Sequence, residues 1–149
     1  MKIPSYIEDL ESWLSSFHFY IPVQVRFSET DAFGHLNNTN AFVFFEDARL
    51  ALFKELGLMQ KWAKSSYSQI IVVADLQCDF HKQVLFDEQL RIGVKVERLG
   101  TSSVDLHYIA LTKEESICLT GRGTIVQISK ETGRGVAFDE EARKLLEGN

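Results

Sequence analysis

An acid and a helix start lie close together in this chain, and that pairing can do chemistry on an activated carbonyl. The segment Arg26-Phe-Ser-Glu-Thr-Asp31-Ala-Phe-Gly34-His35-Leu-Asn37-Asn38-Thr-Asn40 runs from a β-like stretch through a polar loop into an apolar helix. Asp31 stands seven positions before Asn38, the expected helix start. A carboxylate there can activate or supply a nucleophile. The unpaired N–H groups of a helix N-terminus can hold the oxygen that becomes negative. An isolated loop Asp more often caps a turn, so the elements around it must decide.

Those elements predict one domain. At 149 residues and 17.0 kDa the chain is long enough for a real core, and 45% hydrophobic with 25% charged content is ordinary globular composition. A net charge of −5 argues against a dedicated nucleic-acid binder, while leaving room for a small polyanion held by a local basic cluster. Cys78 and Cys118 stand apart in apolar runs and read as buried thiols of a reducing compartment. No apolar run reaches membrane-span length and no signal pattern opens the chain, so the expected location is cytoplasmic.

Along the chain, residues 4–16 predict an amphipathic helix with Ile7, Leu10, Trp13 and Leu14 on one face and a capping box from Ser5 to Glu8. Residues 19–27 alternate as a strand. A helix of about 18 residues is expected from Asn37 or Asn38 to Leu56, stopped by Gly57, and apolar around most of its surface. A helix of that kind is buried. Four long strand-like runs follow, at 68–80, 88–98, 103–111 and 116–128, read as successive hairpins of an antiparallel sheet. A short β-like stretch at 136–138 and a helix at 139–147 capped by Asp139 close the chain. About five twisted strands can wrap one apolar helix.

The run Thr30-Asp31-Ala-Phe-Gly34-His35-Leu-Asn37-Asn38, continuing through Asn40 and Phe45-Glu46-Asp-Ala-Arg49, resembles the hotdog-fold acyl-CoA thioesterases of the 4-hydroxybenzoyl-CoA thioesterase-like family. Weaker echoes are Leu99-Gly100-Thr101-Ser102-Ser103, Gly121-x-Gly123-Thr124 and the turn at 132–134. The resemblance covers about residues 19–138 of a single domain spanning 1–149. It implies an α+β hotdog fold: a long central helix wrapped by about five antiparallel strands, with an extra N-terminal helix and a short C-terminal one. It implies hydrolysis of acyl-CoA thioesters, Asp31 as general base or nucleophile, and the Asn38 backbone N–H as oxyanion donor. It implies no cofactor, CoA being part of the substrate, and a homodimer or homotetramer with active sites at the subunit interface. Where many relatives carry Tyr, this chain has Ala41, which would widen the acyl pocket. Where many carry a proline, it reads His81-Lys82-Gln83-Val84.

The other candidates have two readings each. His35 orients substrate or satisfies loop carbonyls. Asn37 contacts substrate or caps the helix. Glu46 supports the site across an interface or pairs with Arg49 three positions on. Arg98, Arg122, Lys130 and Arg134 are candidates for the CoA phosphates, or simply surface charges. His18, His81 and His107 show no metal-ligand spacing, and Gly121-x-Gly123 sits within a strand rather than at a dinucleotide-binding turn. The competing functions are an acyl carrier protein thioesterase, a 3-hydroxyacyl thioester dehydratase and a non-catalytic acyl-CoA-binding module.

Overall fold

Residues 1–149 are all described by the computed structural model. The order of elements is α1 (Leu10–Ser15), β1 (Phe19–Gln24), a 3₁₀ turn (Phe27–Glu29), α2 (Asn38–Glu55), α3 (Leu58–Trp62), β2 (Gln69–Phe80), β3 (Gln89–Leu99), β4 (Ser103–Thr112), β5 (Ile117–Ser129) and α4 (Glu140–Leu146). All five strands form one antiparallel sheet in the order β1-β3-β4-β5-β2. The sheet wraps α2, which is the hotdog arrangement.

Period-two alternation assigns each strand two faces. On β4, Val104, Leu106, Tyr108 and Ala110 point to the inner face and join the main core. So do Leu90, Ile92 and Val94 of β3, with Ala41, Phe44, Phe45, Ala48, Leu52 and Phe53 of α2. Phe45 stacks on Tyr108 with ring centroids 4.6 Å apart and 14° between planes. That approach needs a glycine beneath it. A Cβ on Gly121 would strike the Phe45 ring and come within 2.7 Å of the Gln77 carbonyl oxygen. The outer face carries Ile109 and Leu111, which pack against Ile7, Trp13 and Phe17 of the N-terminal segment. Residues 4–17 thus form a strap across the back of the sheet.

Several expectations are corrected. The strap is helical only over Leu10–Ser15, because Asp9 caps it by accepting from the Ser12 N–H at 2.8 Å; Ser5 and Glu8 form no capping box. The second and third strands are not a hairpin. β2 pairs with β5, β3 pairs with β1, and residues 81–88 cross between them at the end of the sheet. Only β3-β4-β5 run in hairpin succession. Residues 136–138 form no strand, although the Val136 and Phe138 N–H groups bond to Gln127 and Thr101. The central helix is not buried all round, since Val43, Glu46, Asp47, Lys54 and Glu55 face outward. The helix at 58–62 has no counterpart in the sequence expectations. Asn37, Gly57 (φ 79°) and Asp139 do flank their helices as read.

Candidate active site

Asp31 sits in a loop that the sheet end holds in shape. The Asp31 N–H bonds to the His35 carbonyl at 2.8 Å, and the Gly34 N–H bonds back to the Asp31 carbonyl at 3.0 Å. Gly34 has φ 78°, where a side chain would be strained. The Leu36 N–H bonds to Val84 at 2.7 Å and the Asn37 N–H to Glu29 at 2.8 Å, so residues 81–88 and the 3₁₀ turn clamp the loop. Leu36 is the buried anchor, while Phe33 at the tip is 84% exposed.

The Asp31 carboxylate itself is exposed, and its two oxygens differ. Oδ1 accepts from the Phe33 N–H at 2.9 Å and the His35 N–H at 3.3 Å. Oδ2 has no protein partner and is free to meet a water or a substrate. The turn-capping role and an open, unpartnered oxygen therefore coexist on one side chain.

Asn37 is the cap of α2, its Oδ1 accepting from the Thr39 N–H at 3.1 Å. Asn38 is the first residue of the helix, and its N–H has no protein acceptor. It is an open donor at the positive end of an 18-residue helix. His35 is half-buried and borders a cavity of about 200 Å³ with Leu36, Phe80, His81, Lys82, Val84 and Leu119. The sequence marked His81 and Lys82 as a departure from a proline pattern, and His81 as a histidine without metal-ligand spacing; the structure makes them walls beside the Asp31 loop. Burial lowers the His81 pKa, with Asp79 opposing.

The remaining candidates lie elsewhere. Glu46 pairs with Arg49 at 3.1 Å, so the helix-pair reading is the one seen. Arg49 is 4% exposed, and its Nη1, like the Tyr108 hydroxyl, is buried without a partner. Ala41 is fully buried in the core of the single chain. Arg122 stands mid-sheet on the outer face, held by Asp75 at 3.0 Å and Asp105 at 2.7 Å. Both of its terminal nitrogens already meet these carboxylates, so the surface-charge reading has partners here. Arg98, Lys130 and Arg134 are at the end of the sheet where β3 and β5 finish. The Asp31 loop is at the end where they begin, roughly 30–40 Å away by strand rise. Within one chain these three cations do not meet Asp31.

Cys78 and Cys118 are free, with burial pushing their thiols up to about 12 and about 11. No three His, Cys, Asp or Glu side chains converge as a metal cage. No helix is long and apolar enough to cross a membrane.

Comparison with known proteins identifies the family and the fold. The model of the thioesterase-like superfamily matches residues 25–146. The uncharacterized protein YsmA of Bacillus subtilis (strain 168) is 43% identical over 147 residues, covering 98% of this chain and 97% of its own. The long-chain acyl-CoA thioesterase FadM of Escherichia coli (strain K12) is 25% identical over 126 residues, covering 84% and 94%. Among solved structures, a Thermus thermophilus thioesterase complexed with coenzyme A and Zn superposes with a TM-score of 0.74 at 25% identity, covering 88% and 93%.

Proposed function

The chain belongs to the thioesterase-like superfamily, which makes thioester hydrolysis its class of reaction, and we propose that its substrates are acyl-CoA thioesters cleaved to the free acid and CoA. The observation that carries the reading is the Asp31 carboxylate, with Oδ1 fastened by two backbone N–H groups and Oδ2 open, ahead of the unpaired Asn38 N–H. The thioester carbonyl accepts from Asn38. Oδ2 takes a proton from a water whose oxygen adds to the carbonyl carbon. The tetrahedral intermediate then collapses, the C–S bond breaks, and the thiolate leaves to be protonated. Alternatively Oδ2 itself adds, giving a mixed anhydride that water opens. A single turnover in ¹⁸O-water that leaves label in Asp31 marks the anhydride route with water entering at the Asp31 carboxyl carbon, since the general-base route puts label only in the product acid.

The site is completed by a second copy. β2 is an unpaired edge strand with Val72 and Val73 exposed, and Val43 on α2 is exposed too. A hydrophobic edge of this kind calls for a partner. Two-fold antiparallel pairing of β2 with its copy would bring the second copy's Lys130 and Arg134 toward the Asp31 loop. That supplies the cations for the CoA phosphates that one chain cannot bring there. Charge, membrane-span length and free thiols support a cytoplasmic setting.

Thiol release across short, medium, long and aromatic acyl-CoAs tests the reading. Asp31→Asn keeps a carbonyl oxygen for the Phe33 and His35 N–H groups but loses the reactive carboxylate. Turnover should fall about 10²- to 10⁴-fold with the fold unchanged. An Asn variant as active as the parent would sink the assignment and return Asp31 to turn capping.

A further inference from the structure

The outer face of the sheet holds a buried titratable side chain that the proposed hydrolysis does not use. His107 is 2% exposed in the middle of β4. Its Nδ1 accepts a hydrogen bond from the Trp13 indole N–H at 2.8 Å. An indole nitrogen only donates, so this Nδ1 carries no proton and the ring is neutral, protonated on Nε2.

The Trp13 bond is one of three polar fasteners spread across the sheet. Ser16 Oγ accepts from Lys95 on β3 at 2.7 Å. Trp13 holds His107 on β4. At the far end the Tyr6 hydroxyl lies 3.0 Å from the Asp79 carboxylate on β2 and 3.1 Å from Thr120 Oγ1 on β5. A carboxylate only accepts, so the Tyr6 O–H donates to Asp79. Its oxygen then accepts from the Thr120 hydroxyl. Thr120 Oγ1 in turn accepts from the His81 Nε2–H, the two atoms being 2.7 Å apart. The chain therefore runs in one direction, from His81 through Thr120 and Tyr6 to Asp79. His81 is a wall of the cavity beside the Asp31 loop.

We propose that the strap is a proton-operated latch: a proton on His107 Nδ1 displaces the Trp13 donor, frees residues 4–17 from the outer face, and loosens His81 at the cavity wall through loss of the Tyr6–Thr120 bond. Two N–H groups cannot share one lone pair, so the Trp13 bond and the charged ring exclude each other. The groups facing His107 set where this happens. Burial favours the neutral ring, and Lys95 on β3 and Arg122 on β5 add to that; Glu97 on β3 and Asp105 on β4 oppose it. Glu97 lies 3.6 Å from Nδ1 and Asp105 3.7 Å from Nε2, and Glu97 is placed to receive the new N–H. From the strap come Tyr6, edge-on to the ring at 5.2 Å, and Trp13; Glu8 and Asp9 border the surface hollow they share with Lys95 and Glu97. The latch opens as pH falls, with a midpoint below the ordinary imidazole value.

The chain has two tryptophans, and each indole N–H is bonded to a side chain. Trp62 donates to Gln127, which does not titrate, so it is an internal control. Proton–nitrogen NMR of the whole chain from about pH 8 to pH 5 should show the Trp13 indole signal titrating while that of Trp62 stays still. With the intrinsic pH dependence of exchange divided out, the protection of the residue 10–17 amides should fall about tenfold on the acid side, the loss expected for one buried hydrogen bond. In His107→Gln both changes should vanish. A Trp13 signal that is fixed over this range, or that titrates unchanged in His107→Gln, overturns the latch. Trp13→Phe guards against a misfolded His107 variant: its strap should exchange fast already at neutral pH, and a strap protected as in the parent also overturns it. Tyr6→Phe should shift the His81 ring signals and leave the Trp13 midpoint in place. Unchanged His81 signals would remove the coupling to the cavity. None of these readouts needs a thioester, so they fail or succeed apart from the Asp31 assignment.

Discussion

The two faces of the sheet are held by different forces. The inner face meets α2 through interlocking apolar side chains, with Phe45 stacked on Tyr108 and a glycine making room. The outer face meets the strap through a smaller apolar patch and three polar fasteners, each on a group that titrates or is charged. Packing of the first kind is indifferent to pH, and fastening of the second kind is not. The helix that carries the proposed oxyanion donor is therefore fixed to the insensitive face, and the proposed latch is fixed to the sensitive one.

The largest effect should come from the inner face. Phe45→Ala removes a fully buried ring and should cost about 3–5 kcal/mol in denaturant unfolding, with little dependence on pH. A cost near that of a surface substitution would mean that the helix is not held by this contact.

A matched pair of glycines sharpens the contrast. Gly121→Ala drives a methyl into the Phe45 ring and a backbone carbonyl oxygen, neither of which can yield. Gly93→Ala, on the outer face, meets Tyr20 at 2.7 Å, Ile109 at 2.8 Å and Phe17 at 3.1 Å, all side-chain atoms, two of them on half-free or strap residues. Both should destabilise within the range of about 1–3 kcal/mol for overpacking, with Gly121→Ala the worse of the two. The reverse order in thermal melts would contradict the idea that the outer face gives way more easily.

The smallest effect is a slope. The folded pKa of His107 is lowered, chiefly by burial. Above the ordinary imidazole value of about 6.5 the folded and unfolded chains hold the same proton count at this site, and its contribution to stability is complete. As pH falls below that value the unfolded chain takes up a proton that the folded one refuses. Stability is then lost until the folded pKa is reached, where the slope ends. His107→Gln should remove that share of the acid slope, and an unaltered slope would place the acid sensitivity elsewhere.

Much of this arrangement is legible in residue order. Alternation locates β2 to β5 within a residue or so, because each strand has one face in the core. It cannot say that β2 neighbours β5 rather than β3, since an apolar stripe specifies a face and not a partner. The spacing from Asp31 through Asn38 identifies the loop and the helix start, which are local features. Arg122 reads as a free cation because the carboxylates that occupy it come from other strands, at positions 75 and 105. His107 passes as a lone histidine because its partner, Trp13, lies 94 residues away. Trp13 itself reads as packing, and its apolar ring does pack; only its N–H carries the second role.

The crossing of residues 81–88 has a consequence for the order in which the molecule assembles. β3, β4 and β5 can zip locally through short turns, whereas β2 must wait for β5, with Gln69 meeting Ser129. Closing so long a loop is slow, because its entropy is lost before its contacts form. The Asp31 loop leans on Val84 and Leu85, which lie within that crossing. Its final shape should therefore come late, and a chain in which β2 has not yet docked on β5 should have a central helix but no settled seat for its carboxylate.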